Sequence, residues 1–409
     1  MVLYLYRTGE GAAVDHRSMR WPSQTMGLPV ARRGIDAGED SAMGPVQIRA
    51  REATADAKSG RACPSLPIWL GLFASLLLTV GGIWDISWHR TLGRDTFWSP
   101  PHLFIYGGIA VLGLDCVAVV ARATVARRRR PPEGATLVKL WGLQAPLGFT
   151  IAGFGVLSSL LSAPFDEWWH RMFGLDVTVW SPPHLLAIAA AAAIRLGLIV
   201  ALVEDMQGAG QPNLGGRLRA SWRRTTVAEW VLLLLLSFLL GNLTFALGEY
   251  DYLAASRDPL AYPVLASLAV PVVLVAGVQT VGRVGAATVI VLLLVLRRAL
   301  MSAVLTATDF VPPAPAPLYL VPAMMLDGWF WLRRNKPGGP WRCVMAGAMF
   351  GGLFVAVEYA FTGHLTGRFW PLQPLALSGP LAAAVGGLSA WAGARLAQWW
   401  LSRGRAAVR

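Results

Sequence analysis

After a polar opening, the chain alternates between long apolar runs and short polar loops. Apolar runs occupy about 67–88, 100–121, 138–163, 182–203, 227–247, 261–281, 285–308, 316–332, 343–362 and 376–401. A helix rises about 1.5 Å per residue, so a run of about twenty residues crosses the roughly 30 Å hydrocarbon layer. Inside that layer each backbone amide and carbonyl must find its partner within the protein, which a helix provides. The pattern therefore predicts an all-α fold: a polytopic transmembrane helical bundle of about ten spans, embedded in the lipid bilayer.

The polar positions in the first four runs repeat. The first run closes on Asp85-Ile86-Ser87-Trp88-His89, followed by Arg94-Asp95-Thr96, and the second opens on Trp98-Ser99-Pro100-Pro101-His102. About eighty residues later the chain reads Asp166-Glu167-Trp168-Trp169-His170-Arg171, then Gly174-Leu175-Asp176, then Trp180-Ser181-Pro182-Pro183-His184. Four of the six histidines lie in these two copies. The repeat predicts a duplicated pair of helical hairpins.

Asp85 and His89 are spaced i, i+4, so both project from one face near a helix end. Ser99 suits an N-cap and Pro100 the first helical position, so a new helix opens there and puts His102 in its first turn. The positive end of that helix disfavours an imidazolium, and neutral imidazole is the form that binds metal. A single Asp-x-x-x-His is commonly a hydrogen-bonded structural pair. Two copies, each followed by Ser-Pro-Pro-His, point instead to metal ligation by Asp85, His89, His102, Asp166, His170 and His184. Imidazole with one carboxylate suits copper, zinc or iron, whereas magnesium and calcium want more oxygens. The three cysteines, Cys63, Cys116 and Cys343, have no ligand spacing and read as bystanders.

Composition agrees with the hydropathy pattern: 55% hydrophobic residues, 14% charged, mean hydropathy +0.50. The net charge of +13 is concentrated in Arg127–Arg130, Arg217–Arg224, Arg333-Arg334 with Lys336, and the tail with Arg403, Arg405 and Arg409. With helices counted in order, all these clusters fall on one side, which is a topology signal rather than a nucleic-acid footprint. Both termini are expected in the cytoplasm of a bacterial inner membrane, with both Asp/His copies at the outer face.

Three regions follow. Residues 1–62 read as a disordered cytoplasmic tail containing His16, with Met43 as an alternative start. Residues 63–210 form a duplicated four-helix metal-binding half, and 220–409 a six-helix half of unknown role. In the latter, Arg297-Arg298 fall within a span, and one of them is expected to pair with Asp327 or Glu358, since an unpaired charge at membrane depth is costly. Asp309 is a further charge at the end of the seventh span, and the outer-loop group Glu249-Tyr250-Asp251-Tyr252 and His364 are either further metal contacts or interfacial anchors. Trp84, Trp88, Trp98, Trp168, Trp169 and Trp180 read as an interfacial belt or as an apolar wall and electron route beside the site. Asp95 and Asp176 are either loop caps or acceptors orienting a ligand imidazole.

Asp85-x-x-Trp88-His89, Arg94-Asp95-Thr96 and Ser99-Pro-Pro-His102 running into Ile105-Tyr106 resemble the C subunit of particulate methane monooxygenase and ammonia monooxygenase. Asp166-Glu167-Trp168-x-His170 is similar to that subunit's later histidine helix, with Asp166 where the family has asparagine. The resemblance covers about residues 65–205. It implies a copper site from Asp85, His89 and His102, a neighbouring or alternative site sharing His102 with Asp166 and His170, and partner subunits, one with an outer copper domain. The expected function is a copper-dependent monooxygenase-like subunit activating O2 on a small apolar substrate. Copper transport or storage, an intramembrane zinc-dependent lipid hydrolase and haem ligation are the alternatives, and a homo-oligomer is compatible with each.

Overall fold

A computed structural model of the chain describes residues 63–93, 96–127, 137–174, 179–209, 214–215, 218–219, 221–223, 225–247, 258–313, 315–335 and 339–406. Residues 1–62, Arg94, Asp95, Asp176, the 249–252 group and Lys336 lie outside the described residues, as do Arg128–Arg130, Arg217, Arg224 and Arg409.

Ten helices and one two-stranded hairpin make up the described elements: α1 (Leu66–Leu92), α2 (Pro100–Arg127), β1 (Leu137–Leu140), β2 (Leu143–Pro146), α3 (Leu147–Phe173), α4 (Pro182–Gly208), α5 (Val227–Phe245), α6 (Ala261–Val281), α7 (Ala286–Ala307), α8 (Leu320–Leu332), α9 (Pro340–Thr366) and α10 (Leu372–Ala406). Nine helices are long and apolar enough to cross a membrane, and α8 is the short exception. The protein is an all-α, membrane-spanning bundle.

Helix α1 packs along α2, α3 along α4, and α10 along both α9 and α6. Small residues make two of these seams tight. A Cβ at Gly347 would meet the Gly386 carbonyl and one at Gly351 the Ala382 carbonyl, so α9 and α10 touch backbone to backbone. Gly148 and Gly155 of α3 do the same against α4. The core runs through α4, α5 and α6, where Leu198, Leu232, Leu236, Leu274 and Val278 are fully buried. Phe154, Leu157, Leu160 and Leu161 on α3 are instead exposed, as a lipid-facing surface requires.

The third span departs from its expected bounds. Residues 137–146 form a hairpin pairing Leu137 with Pro146 and Leu140 with Leu143. Its two-residue turn is Trp141-Gly142, with φ 47° and 83°, the double positive-φ geometry that closes a tight hairpin. The helix starts only at Leu147 and continues through Pro164 to Phe173, so Asp166 and His170 lie inside it.

The eighth span also differs. At 13 residues, α8 is about 20 Å long, short of the hydrocarbon thickness. The proline-rich segment before it has neither helix nor strand among its described residues, and the Leu318 amide donates to Glu358 Oε2 at 3.3 Å. Glu358 is fully buried and also accepts from Thr362 Oγ1 at 3.1 Å. Irregular backbone is tolerated at membrane depth where protein groups satisfy it, and Glu358 does so here.

Of the two arginines expected to pair with Asp327 or Glu358, Arg297 does not. Asp327 caps the start of α7: Oδ2 accepts from the Thr288 amide at 2.7 Å and the Thr288 hydroxyl at 2.6 Å. Exposed amides at a helix N-terminus, with the positive end of the dipole, satisfy this buried carboxylate without an arginine. Arg297 binds Ser237 on α5, through its hydroxyl at 3.3 Å and its carbonyl at 3.1 Å.

Candidate metal centre

Each copy of the motif is built by one helix ending and the next beginning. Helix α1 carries Asp85 and His89 near its C-terminus, and α2 presents His102 in its first turn. Gly93 stops α1 with φ 81°, its amide donating to the His89 carbonyl, a conformation glycine adopts without strain. Gly174 ends α3 in the same way, with φ 89° and its amide on the His170 carbonyl. Ser99 and Ser181 precede prolines at the first turn of α2 and α4. Their carbonyls take the amides of Leu103 and Leu185, but Ser181 shows no side-chain capping bond. The proline placement, rather than the serine hydroxyl, starts that helix.

The ligand atoms converge. Asp85 Oδ1 lies 3.9 Å from His89 Nε2 and 3.1 Å from His102 Nε2. Asp166 Oδ1 lies 3.8 Å from His170 Nε2 and 3.4 Å from His184 Nε2. Two atoms each held about 2.1 Å from one ion at the tetrahedral angle stand about 3.4 Å apart. The four separations bracket that value. Among the described residues only the second copy brings all three together: one ligand atom from each of Asp166, His170 and His184 lies within 4.8 Å of the other two, a mutual approach that Asp85, His89 and His102 do not reach. The resemblance implies that Asp166 and His170 share His102; the histidine that stands beside them is His184, from their own copy.

The first copy shows how the ligands are oriented. His102 Nδ1 is 3.1 Å from the Thr96 carbonyl. A carbonyl only accepts, so Nδ1 carries the proton and Nε2 presents its lone pair toward Asp85. Asp85 Oδ1 is buried and close to that nitrogen, yet the two lack hydrogen-bond alignment. Two acceptor atoms that approach without a proton between them suit a shared cation. The donor set, one carboxylate and two imidazoles per copy with partly buried side chains, fits copper, zinc or iron.

Aromatic residues next to the ligands in sequence form a cluster in each copy. Trp84 packs edge-on to Phe104 at 5.6 Å and to Phe310 at 6.2 Å, and Trp88 stacks on Phe310 at 5.6 Å. Phe310 arrives from beyond α7, where Asp309 adopts φ 60° and turns the chain so that the Phe310 amide reaches the Leu305 carbonyl at 2.8 Å. The Val311 amide then donates to Thr91 Oγ1 at 2.9 Å. Around the second copy, Trp169 lies against Phe173 at 4.4 Å and Trp168 stacks on Phe165 at 5.9 Å. Trp98, Trp168 and Trp180 are exposed, as members of an interfacial belt are, whereas Trp84 and Trp88 pack on Phe310. His364 is exposed and packs edge-on to Phe369 at 5.7 Å. All three cysteines are free thiols, with Cys116 and Cys343 buried.

Two functional-looking features are not among the sequence-derived candidates. One is the strap Phe310-Val311. The other is Arg195, 2% exposed and midway along α4, whose signal is a lone arginine following the alanine-rich run 187–193. Comparison with protein-family models, curated proteins and solved structures gave no match.

Proposed function

We propose that this membrane protein binds copper at two Asp/His/His sites, Asp85/His89/His102 and Asp166/His170/His184, and serves as a copper-dependent monooxygenase-like subunit. The observation carrying the metal reading is the repeated convergence of one carboxylate oxygen on two imidazole nitrogens at 3.1 to 3.9 Å. Copper over zinc is supported by the motif's resemblance to the copper membrane monooxygenases, which also motivates partner subunits as the source of electrons. The basic clusters at the opposite helix ends support an orientation with both sites at the outer face and both termini in the cytoplasm of a bacterial inner membrane.

Copper held there would supply the redox centre that activates O2. The chain's residues have separate roles. Asp85 and Asp166 each contribute one negative charge, which offsets part of the ion's charge in a poorly solvated place. The Thr96 carbonyl fixes the tautomer of His102. Trp84 and Trp88, next to the first site's ligands in sequence, form an apolar cluster with Phe310, and the exposed apolar face of α3 offers an apolar substrate a route from the bilayer.

Metal analysis combined with an oxygen electrode tests this reading. Copper retained through purification, reduced by one of two equivalents in His89→Ala with His102→Ala, and O2 uptake stimulated by a small hydrocarbon are the expected results. Zinc together with chelator-sensitive lipid hydrolysis would select the hydrolase, and copper uptake into vesicles without O2 consumption would select transport.

A further inference from the structure

Two arginines meet in the middle of the bundle, away from both Asp/His sets. Arg195 lies halfway along α4 and Arg297 halfway along α7, and both reach the same stretch of α5. Arg195 Nη1 donates to Asn242 Oδ1 at 3.1 Å and to the Ala191 carbonyl at 2.9 Å, and its Nη2 donates to Thr79 Oγ1 on α1 at 3.0 Å. Arg297 donates to the hydroxyl and carbonyl of Ser237, and its guanidinium stacks 4.3 Å from the Phe238 ring centre. Its Nη2 comes within 2.8 Å of where a Cβ on Gly241 would stand, so the guanidinium lies directly against the backbone of α5 beside Asn242.

Every acceptor in this constellation is neutral. Three arginines elsewhere are balanced by carboxylates: Arg219 and Arg283 each place a nitrogen 2.9 Å from Glu229, and Arg171 pairs with Glu167. Among the described residues, neither Arg195 nor Arg297 has a carboxylate at ion-pair distance. Their like charges act on one another. Arg195 Nε is buried and has no acceptor, and one turn from Thr79 the Ser75 hydroxyl is buried and equally unengaged. Charged groups at membrane depth face the bundle interior and require compensation, which neutral oxygens supply only in part.

We infer that Arg195 and Arg297, with Ser237 and Thr79, form an intramembrane site for a small monovalent anion of the halide or nitrate class. A lipid phosphate is anchored roughly 15 Å away at the headgroup level, and a multivalent anion carries a larger dehydration cost. A monovalent ion with modest hydration suits two guanidiniums that already hold neutral partners. This assignment does not depend on the metal reading, and it argues against a cation path through this part of the bundle.

The test uses the full chain in nanodiscs of zwitterionic lipid, after chelator treatment, with melting followed in sodium bromide or sodium gluconate at equal ionic strength. Bromide is expected to raise Tm saturably, with the unfolding constant falling about 11-fold at ten times Kd, and gluconate is expected to be inert. Arg297→Gln should abolish the bromide effect, and Arg223→Gln, an exposed position, should keep it. An equal bromide effect in wild type and Arg297→Gln, or none in wild type, overturns the site. Should Arg297→Gln fail to fold, anomalous scattering from bromide in wild-type crystals decides. A peak within hydrogen-bond reach of both guanidiniums supports the site, and no peak there contradicts it.

Discussion

The two Asp/His copies share their ligand types and spacing but differ in what surrounds them. The first is tied to the distant half of the chain, with Phe310 stacked on Trp88 and the Val311 amide on Thr91. The second has an aromatic cluster of Phe165, Trp168, Trp169 and Phe173, all from its own helix α3. Exposure differs as well. In the first copy the α2 histidine, His102, is the covered ligand at 19% and His89 is open at 37%. In the second the α3 histidine, His170, is covered at 20% and His184 is open at 37%. One local motif thus produces two sites of opposite access.

The largest effect that sharpens this comparison comes from removing the shared oxygen. Asp85→Ala and Asp166→Ala should each remove one of two metal equivalents, weakening that site by at least about 100-fold, beyond the 10–100-fold typical of losing an outer-sphere partner. Equilibrium dialysis with both variants reads this directly. If either substitution emptied both sites, the copies would be one shared centre.

Phe310→Ala should come next. Loss of its contacts with Trp84 and Trp88 is expected to cost on the order of 2 kcal/mol in stability, seen as a lower Tm. A chelator should also strip the first site several-fold faster and leave the second unchanged. Equal stripping of both copies would break the comparison. Thr91→Val is the mildest probe, removing the acceptor for Val311 at about 1 kcal/mol. Its stripping rate at the first site should lie between wild type and Phe310→Ala.

Much of this was legible in the chain. The bounds of α6 follow the apolar run 261–281 residue for residue, and those of α7 fall within a residue of 285–308. The six ligands were legible because i, i+4 spacing at a helix end and proline at the next helix start fix where side chains lie. The hairpin at 137–146 was hidden because its leucines and valine read equally as the start of a span, although Gly142 and Pro146 mark a turn and a helix start. The partner of Asp327 could not be read, since capping of α7 joins residues 39 apart in sequence. Arg195 escaped notice for a different reason: a single charge barely alters the mean hydropathy of a long run, while its packing against Thr79 and Asn242 joins three helices.

The central claim is that each copy forms its own metal centre. Anomalous scattering at the copper edge from crystals of the full chain tests it most directly. The account predicts two peaks, one about 2.1 Å from Asp85, His89 and His102 ligand atoms and one at the same distance from those of Asp166, His170 and His184. Absence of both peaks, or a lone peak bridging His102 to Asp166 and His170, would contradict it.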